Sequence, residues 1–171
     1  ADEIFVLPDN GNIVPVAIKS GELYTQSKIT VIPTKSIGDG YSALSAFDLS
    51  LGASVCAENM KEAVGSSCTI ELCKAVRSTT VGGVDIKEGE YIAFAGKEMI
   101  TAAEEREEAV LSALEKKGAS KREFLIIIAG NSVSKDEAEA LKDKVEKTFR
   151  DVEAYLLFGG QNTFDYVLVL Q

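Results

Sequence analysis

The sequence predicts an α/β protein: a partial parallel βαβ layer followed by a mixed ββαβαββ sheet with helices. Three observations carry this. Ile29 to Ile32 is a short apolar run that stops at Pro33, crosses a polar turn with two glycines, and enters an alanine- and leucine-containing segment, Tyr41 to Phe47. Strand, glycine-bearing loop and helix in that order make half of a βαβ unit. Phe124 to Ala129 (FLIIIA) is a continuous apolar run of strand length, the pattern of a strand buried on both faces. Helical stripes at Ala103, Val110 and Leu114, and at Ala138, Leu141 and Val145, alternate with such runs.

Taken in order, Glu3 to Leu7 reads as a strand stopped by Pro8, with turn chemistry at Asp9-Asn10-Gly11. Asn12 is the expected N-cap of a helix that carries Pro15 in its first turn and ends at Gly21. Ile29 to Ile32 returns as a strand parallel to the first. Two short parallel strands make an undersized sheet, so the pattern calls for neighbouring strands beyond these two. Ser50 to Val64 reads as a connecting helix. Cys68 to Arg77 and Tyr91 to Ala95 read as an antiparallel pair around a long turn, Thr79 to Glu90. Thr101 with Glu104 is expected to open a helix that Gly118 closes, and Ser134 with Glu137 to open the next one. Val152 to Phe158 and Phe164 to Leu170 are strands about a Gly159-Gly160-Gln161-Asn162 turn, so they are expected to pair antiparallel. The division this suggests is a subdomain over 1–65 and a second over 66–171.

Composition excludes several classes. At 171 residues the chain can bury roughly 70% of its unfolded surface and needs no disulfide or metal to fold. Its net charge of −9, from 27 acidic and 18 basic residues, argues against nucleic acid and anionic membranes as partners. No run approaches the ~20 apolar residues of a membrane span. The acidic start, Ala1-Asp2-Glu3, differs from a secretory leader, and three cysteines without a CxxC pair suggest reduced thiols in a cytoplasmic setting. There is no histidine, which removes His-based triads, His general bases and most zinc sites. Neither GxxxxGK[ST] nor GxGxxG occurs, so a nucleotide loop is not expected.

The polar residues that remain interesting follow apolar strands. Asn10 and Asn12 follow the first, Thr34 and Lys35 the second, and parallel strands place both loops at the carboxyl edge where open α/β sheets hold ligands. Arg77 ends a strand and Gln161 sits in the last turn. Each has a plain alternative as a turn, cap or edge residue. The acidic pairs Glu104-Glu105 and Glu107-Glu108 read as a solvated helix face. Cys56, Cys68 and Cys73 read as small core residues.

Four ordered segments, IFVLPDNGNIV, VIPTKSIGDGYSALSAFD, AVRSTTVGGVDIKEGEYIAF and GGQNTFDYVLVLQ, resemble the C-terminal region of the ATP-binding subunit of bacterial fatty acid kinases, proteins also described as dihydroxyacetone-kinase-like. The resemblance covers nearly the whole chain. It departs where Ser78 follows Arg77 in place of an aspartate, and at Gln171 in place of a glutamate. What it implies is a DegV-like fold that docks a fatty-acid-binding DegV-type protein, so that an upstream kinase domain holding ATP and magnesium phosphorylates the acyl carboxylate. On that reading this chain is a non-catalytic interaction module that holds no cofactor of its own, with a homodimer as one assembly open to it. Asn10, Asn12, Thr34, Lys35, Arg77 and Gln161 are then the contact residues. An alternative is a domain that holds the fatty acid itself.

Overall fold

The computed structural model describes residues 1–171 and divides them into two compact units, Ala1–Ser67 and Cys68–Gln171. The first unit is a βαβ layer with two further helices. Strand β1 (Glu3–Val6) pairs in parallel with β2 (Lys28–Val31) across helix α1 (Val14–Leu23). Helices α2 (Ile37–Ser45) and α3 (Ala53–Ala63) follow, and a small core of Ile32, Ala43, Cys56, Ala57 and Met60 gathers with Phe5, Leu7 and Val64 against it.

Several helix boundaries differ from expectation for local reasons. Helix α1 is capped at Ile13, while the Asn12 N–H donates to the Asn10 side chain at 2.9 Å, so Asn12 belongs to the turn. Gly21 lies inside α1, where a Cβ would come within 3.1 Å of the Ile29 side chain; the glycine lets helix and strand approach and does not end the helix. Helix α2 begins four residues earlier than its apolar residues suggest. Ser36 caps it, accepting from the Asp39 N–H at 3.2 Å, so Gly38 and Gly40 are helical. The third helix is shorter than expected, Ala53–Ala63.

The second unit is a six-stranded mixed sheet in the order β7-β6-β3-β10-β8-β9. Its strands are β3 (Cys68–Lys74), β6 (Tyr91–Ala95), β7 (Glu98–Ala103), β8 (Phe124–Ala129), β9 (Glu153–Phe158) and β10 (Tyr166–Leu170). A separate hairpin, β4 (Thr79–Val81) with β5 (Val84–Ile86), turns on Gly82-Gly83, both at positive φ. Helices α4 (Arg106–Lys116) and α5 (Lys135–Thr148) share one core with the sheet, including Ile70, Leu72, Val110, Leu114, Ile127 and Leu168. The expected β3–β6 antiparallel pair is present, as is the Ser134–Glu137 capping box of α5.

Three expectations are corrected here. Thr101 lies in strand β7 and does not open a helix: Gly96, at φ 60°, and Lys97 turn the chain from β6 into β7, and the Thr101 and Ser112 hydroxyls meet at 3.2 Å. The mixed sheet therefore has one strand more than the sequence pattern shows. The last two strands do not pair with each other. β9 runs parallel to β8 through the α5 crossover, and β10 inserts between β3 and β8, antiparallel to both. Their connection is anchored across the end of β8, with the Gly130 N–H on the Asp165 carbonyl at 2.8 Å and the Asn131 N–H on the Gln161 carbonyl at 2.9 Å. Strand β3 ends at Lys74, so Arg77 lies in the bend before β4 and not on a strand.

Candidate functional site

In the first unit the loops after β1 and β2 meet, as parallel strands require. The Asp9 N–H donates to the fully buried Thr34 hydroxyl at 3.0 Å. Asp9 takes a positive φ of 51°, the conformation that Asp and Asn tolerate best after glycine. Its carboxylate rests against Gly40 in the first turn of α2, where any Cβ would overlap both carboxylate oxygens. Burial pushes the Asp9 carboxyl above its ordinary range; the Thr34 hydrogen bond opposes this and the Asp39 charge adds to it.

Asp39 is the organising residue of these loops. It is buried, and its two oxygens accept from the Lys35 N–H at 2.8 Å and the Gly65 N–H at 3.2 Å. A carboxylate in the first turn of a helix is also favoured by the helix dipole. The sequence pattern does not single out Asp39 among the polar residues of this turn. The signal that could find it is the Ser36–Asp39 spacing, an N-cap followed three residues on by an acid.

The structure brings Asn10, Asn12, Thr34 and Lys35 together at this edge. Asn10 and Asn12 are exposed and form an Asx-type turn, with the Asn10 carbonyl also accepting from Ile13 and Val14. Lys35 is exposed, its stem near Gly11. Thr34 is buried, so it can position Asp9 but cannot itself touch a partner. Beside them a shallow cleft of about 240 Å³ is lined by Leu7, Asp9, Ile37, Tyr41 and Leu44.

Arg77 and Gln161 lie in the second unit. Arg77 is exposed. The Gln161 amide donates to the Ile128 carbonyl at 3.1 Å, and Asn131 donates to the Gly160 carbonyl and to Asn162, so this turn is braced onto the end of β8. Nearby, Arg106 bonds Asp165 at 3.0 Å and Glu137 at 3.4 Å and lies 5.2 Å from the Tyr91 ring centroid. Ser132 donates to Asp165 as well. Tyr166 is buried beneath, and that burial lifts its hydroxyl to about 12.

Asp39 is committed to backbone donors, Ser36 to its cap, and Asp165 to Arg106 and Ser132. No group of three or more carboxylate or thiolate side chains is placed to hold a metal ion. No helix is long and apolar enough to cross a membrane. The three cysteines are free thiols, Cys56 buried and the others partly so.

The family model for the C-terminal domain of FakA-like fatty acid kinase proteins matches residues 1–171. Protein YloV of Bacillus subtilis is 28% identical over 168 residues, which cover 98% of this chain and 30% of that protein. An uncharacterized protein of Staphylococcus haemolyticus is 30% identical over 166 residues, covering 97% and 30% respectively. The chain thus spans under a third of the length of these relatives. Among solved structures, the Streptococcus pneumoniae Fatty Acid Kinase (Fak) B3 protein loaded with linoleic acid superposes with a TM-score of 0.68 at 12% identity, over 100% of this chain and 72% of that one. A fatty-acid-binding DegV family protein from Thermus thermophilus gives 0.61 at 14% identity, over 100% and 71%. At these identities the likeness is one of fold, and it is the DegV fold.

Proposed function

This chain belongs to the family of FakA-like fatty acid kinase C-terminal domains, and from that premise we propose that it is a non-catalytic docking module for a fatty-acid-binding protein of the DegV type. In the longer protein, a kinase domain outside these residues would hold ATP and magnesium. The docked carrier would present its acyl carboxylate there for phosphorylation. The observation that carries this reading is the outer face of α1. None of the helix's residues is buried. Ile13, Val16, Leu23 and Tyr24 form one apolar stripe in water, Val16 60% and Leu23 73% exposed. Exposed apolar patches with a polar rim mark protein contacts. The rim here is the turn carrying Asn10 and Asn12, which leads directly into α1, with Lys35 beside it.

The test is a titration of the longer protein with the cognate DegV-type carrier loaded with fatty acid. Val16→Glu, Leu23→Glu and Lys35→Glu are each expected to weaken binding about 10-fold or more, the range of an interface anchor. Arg77→Glu tests the second unit's contribution in the same way. Binding unchanged in all four variants would refute the surface, and no binding by the parent protein would refute the module.

A second reading is a domain that holds the fatty acid itself. It is favoured by the DegV fold and by the apolar cleft at Leu7, Ile37, Tyr41 and Leu44. That cleft is open, and its about 240 Å³ falls below the ~300–1,000 Å³ of typical ligand pockets. Fatty acid in organic extracts of the purified protein, found by mass spectrometry at near one equivalent, would replace the docking reading with this one.

A further inference from the structure

We infer that Asn10 is a site of spontaneous covalent modification, where the Gly11 backbone nitrogen displaces the side-chain amide and leaves aspartyl and iso-aspartyl chain in its place. The inference stands apart from the docking reading. Of the five asparagines, Asn10, Asn12, Asn59, Asn131 and Asn162, Asn10 alone precedes a glycine. The reaction brings the following backbone nitrogen onto the side-chain carbonyl carbon, and a Cβ on the following residue stands in the way of that approach.

The turn between β1 and α1 supplies what the reaction needs. Asn10 and Gly11 are both exposed, and the Gly11 N–H, the attacking group, donates to no protein acceptor. The Asn12 N–H donates to Asn10 Oδ1 at 2.9 Å. That oxygen takes up negative charge when its carbon is attacked, so the bond holds a donor where charge develops. The positive end of α1, which begins at Val14, follows directly. Elsewhere the same chemistry is blocked. Asp39-Gly40 has the right spacing, but Asp39 is buried and the Gly40 N–H is engaged by the Ser36 carbonyl at 3.1 Å. Asn131 is exposed, yet its side-chain nitrogen is tied to the Gly160 carbonyl at 2.7 Å and to Asn162 at 2.9 Å. Asn12 and Asn162 precede the branched Ile13 and Thr163, and Asn59 lies within α3.

The steps balance with water alone. The Gly11 nitrogen gives its proton to hydroxide and bonds to Asn10 Cγ. The Cγ–Nδ2 bond breaks, and the departing nitrogen takes a proton from water and leaves as ammonia. Water then opens the resulting cyclic imide. Attack at Cγ restores the chain and leaves an aspartate. Attack at the main-chain carbonyl leaves iso-aspartate, with the chain running through Cγ. In that product the carbonyl that accepts from the Ile13 N–H at 2.9 Å and the Val14 N–H at 3.2 Å leaves the chain as a free carboxylate, and a methylene is added to the turn. The start of α1 is thereby loosened.

Peptide mapping of the full-length protein, aged in mildly alkaline buffer made with heavy-oxygen water, tests this. The Asn10 peptide is expected to convert about 10-fold sooner than the Asn131 peptide, to carry a heavy oxygen and to include the iso-aspartyl form. Gly11→Ala should slow the conversion about 10-fold or more. The added methyl would meet the Lys35 stem at 3.7 Å, an ordinary contact, so the variant keeps the fold. In the iso-aspartyl fraction the Ile13 and Val14 N–H groups should exchange with solvent about 10-fold faster than in fresh protein. Asn10 that stays intact, or converts no sooner than Asn131, would overturn the inference. So would an unchanged rate in the Gly11→Ala variant, or aspartate formed without iso-aspartate. Unchanged exchange at Ile13 and Val14 would overturn the loosening of α1.

Discussion

Asp39→Ala removes the one side chain that ties the carboxyl-edge loops of the first unit to the start of α2 and to the end of α3. Two backbone donors, Lys35 N–H at 2.8 Å and Gly65 N–H at 3.2 Å, lose their acceptor. Leaving a buried donor unpaired costs about 1–3 kcal/mol, and the favourable position at a helix N-terminus adds about 0.3–1 kcal/mol. Since Lys35 and Gly65 are both exposed residues and water can reach part of the site, the low end applies to both donors, and the sum is about 2–3 kcal/mol. Asp39→Asn keeps one acceptor oxygen and should cost about 1–2 kcal/mol on the same accounting. The assay is urea unfolding read by hydrogen exchange, so that peptides of each unit report separately. With a urea slope of about 1–3 kcal/mol per molar, the first unit's midpoint should fall by about 1–3 M. The second unit's peptides should not move. A first-unit change under about 0.5 kcal/mol, the size of an ordinary surface substitution, would refute the role assigned to Asp39.

Further expectations follow from the second unit. Tyr166 has its hydroxyl lifted by burial to about 12, above the ordinary 10 of an unfolded chain. Its stabilising contribution is therefore complete below pH 10 and lost as pH rises from 10 to 12, by about 3 kcal/mol. Tyr166→Phe should flatten that loss in a stability profile, and identical slopes for parent and variant would contradict it. Leu114→Ala, at a fully buried position of the shared core, should cost about 2–5 kcal/mol in denaturant unfolding. Arg106→Met leaves the half-buried Asp165 without its cation and should cost about 1.5–3 kcal/mol, and Asp165→Asn in the same background should add little.

The sequence is most legible where one physical signal dominates. FLIIIA reads only as an interior strand, and it lies between β10 and β9. The Ser134–Glu137 box marks α5 because both of its reciprocal hydrogen bonds form locally. Legibility fails where tertiary contact overrides local preference. Gly21 and Gly40 resemble punctuation, but each is a glycine because another residue, Ile29 or Asp9, occupies the space of its Cβ. Thr101 and Glu104 imitate a capping box, yet the β6 hairpin captures Thr101 for the sheet. The placement of β10 between β3 and β8 rests on hydrogen bonds from Gly130 and Asn131 to residues about 30 positions away, which no local pattern contains. The site shows the same division. That Asn10, Asn12, Thr34 and Lys35 converge follows from the parallel strands alone. That Thr34 is buried and Asp39 holds the loops requires the packing.

The two units differ in how they satisfy themselves, and this bears on what each is for. The second gathers its sheet and two helices around one continuous core. The first has five buried apolar residues, a two-stranded sheet and a helix, α1, with no buried residue at all. A core that small gives little hydrophobic stabilisation at about 25 cal/mol per Å² of buried apolar surface. Yet its carboxyl-edge loops are held by specific bonds, Asp9 to Thr34 and Asp39 to Lys35 and Gly65. On the proposed docking reading, the surface that covers Val16, Leu23, Tyr41 and Leu44, all in water here, comes from a partner. Stability that rises when those surfaces are covered is the linkage consequence. The first unit should therefore gain protection from exchange when the DegV-type carrier is added to the full-length protein, while the second unit's core strands, already packed, should not.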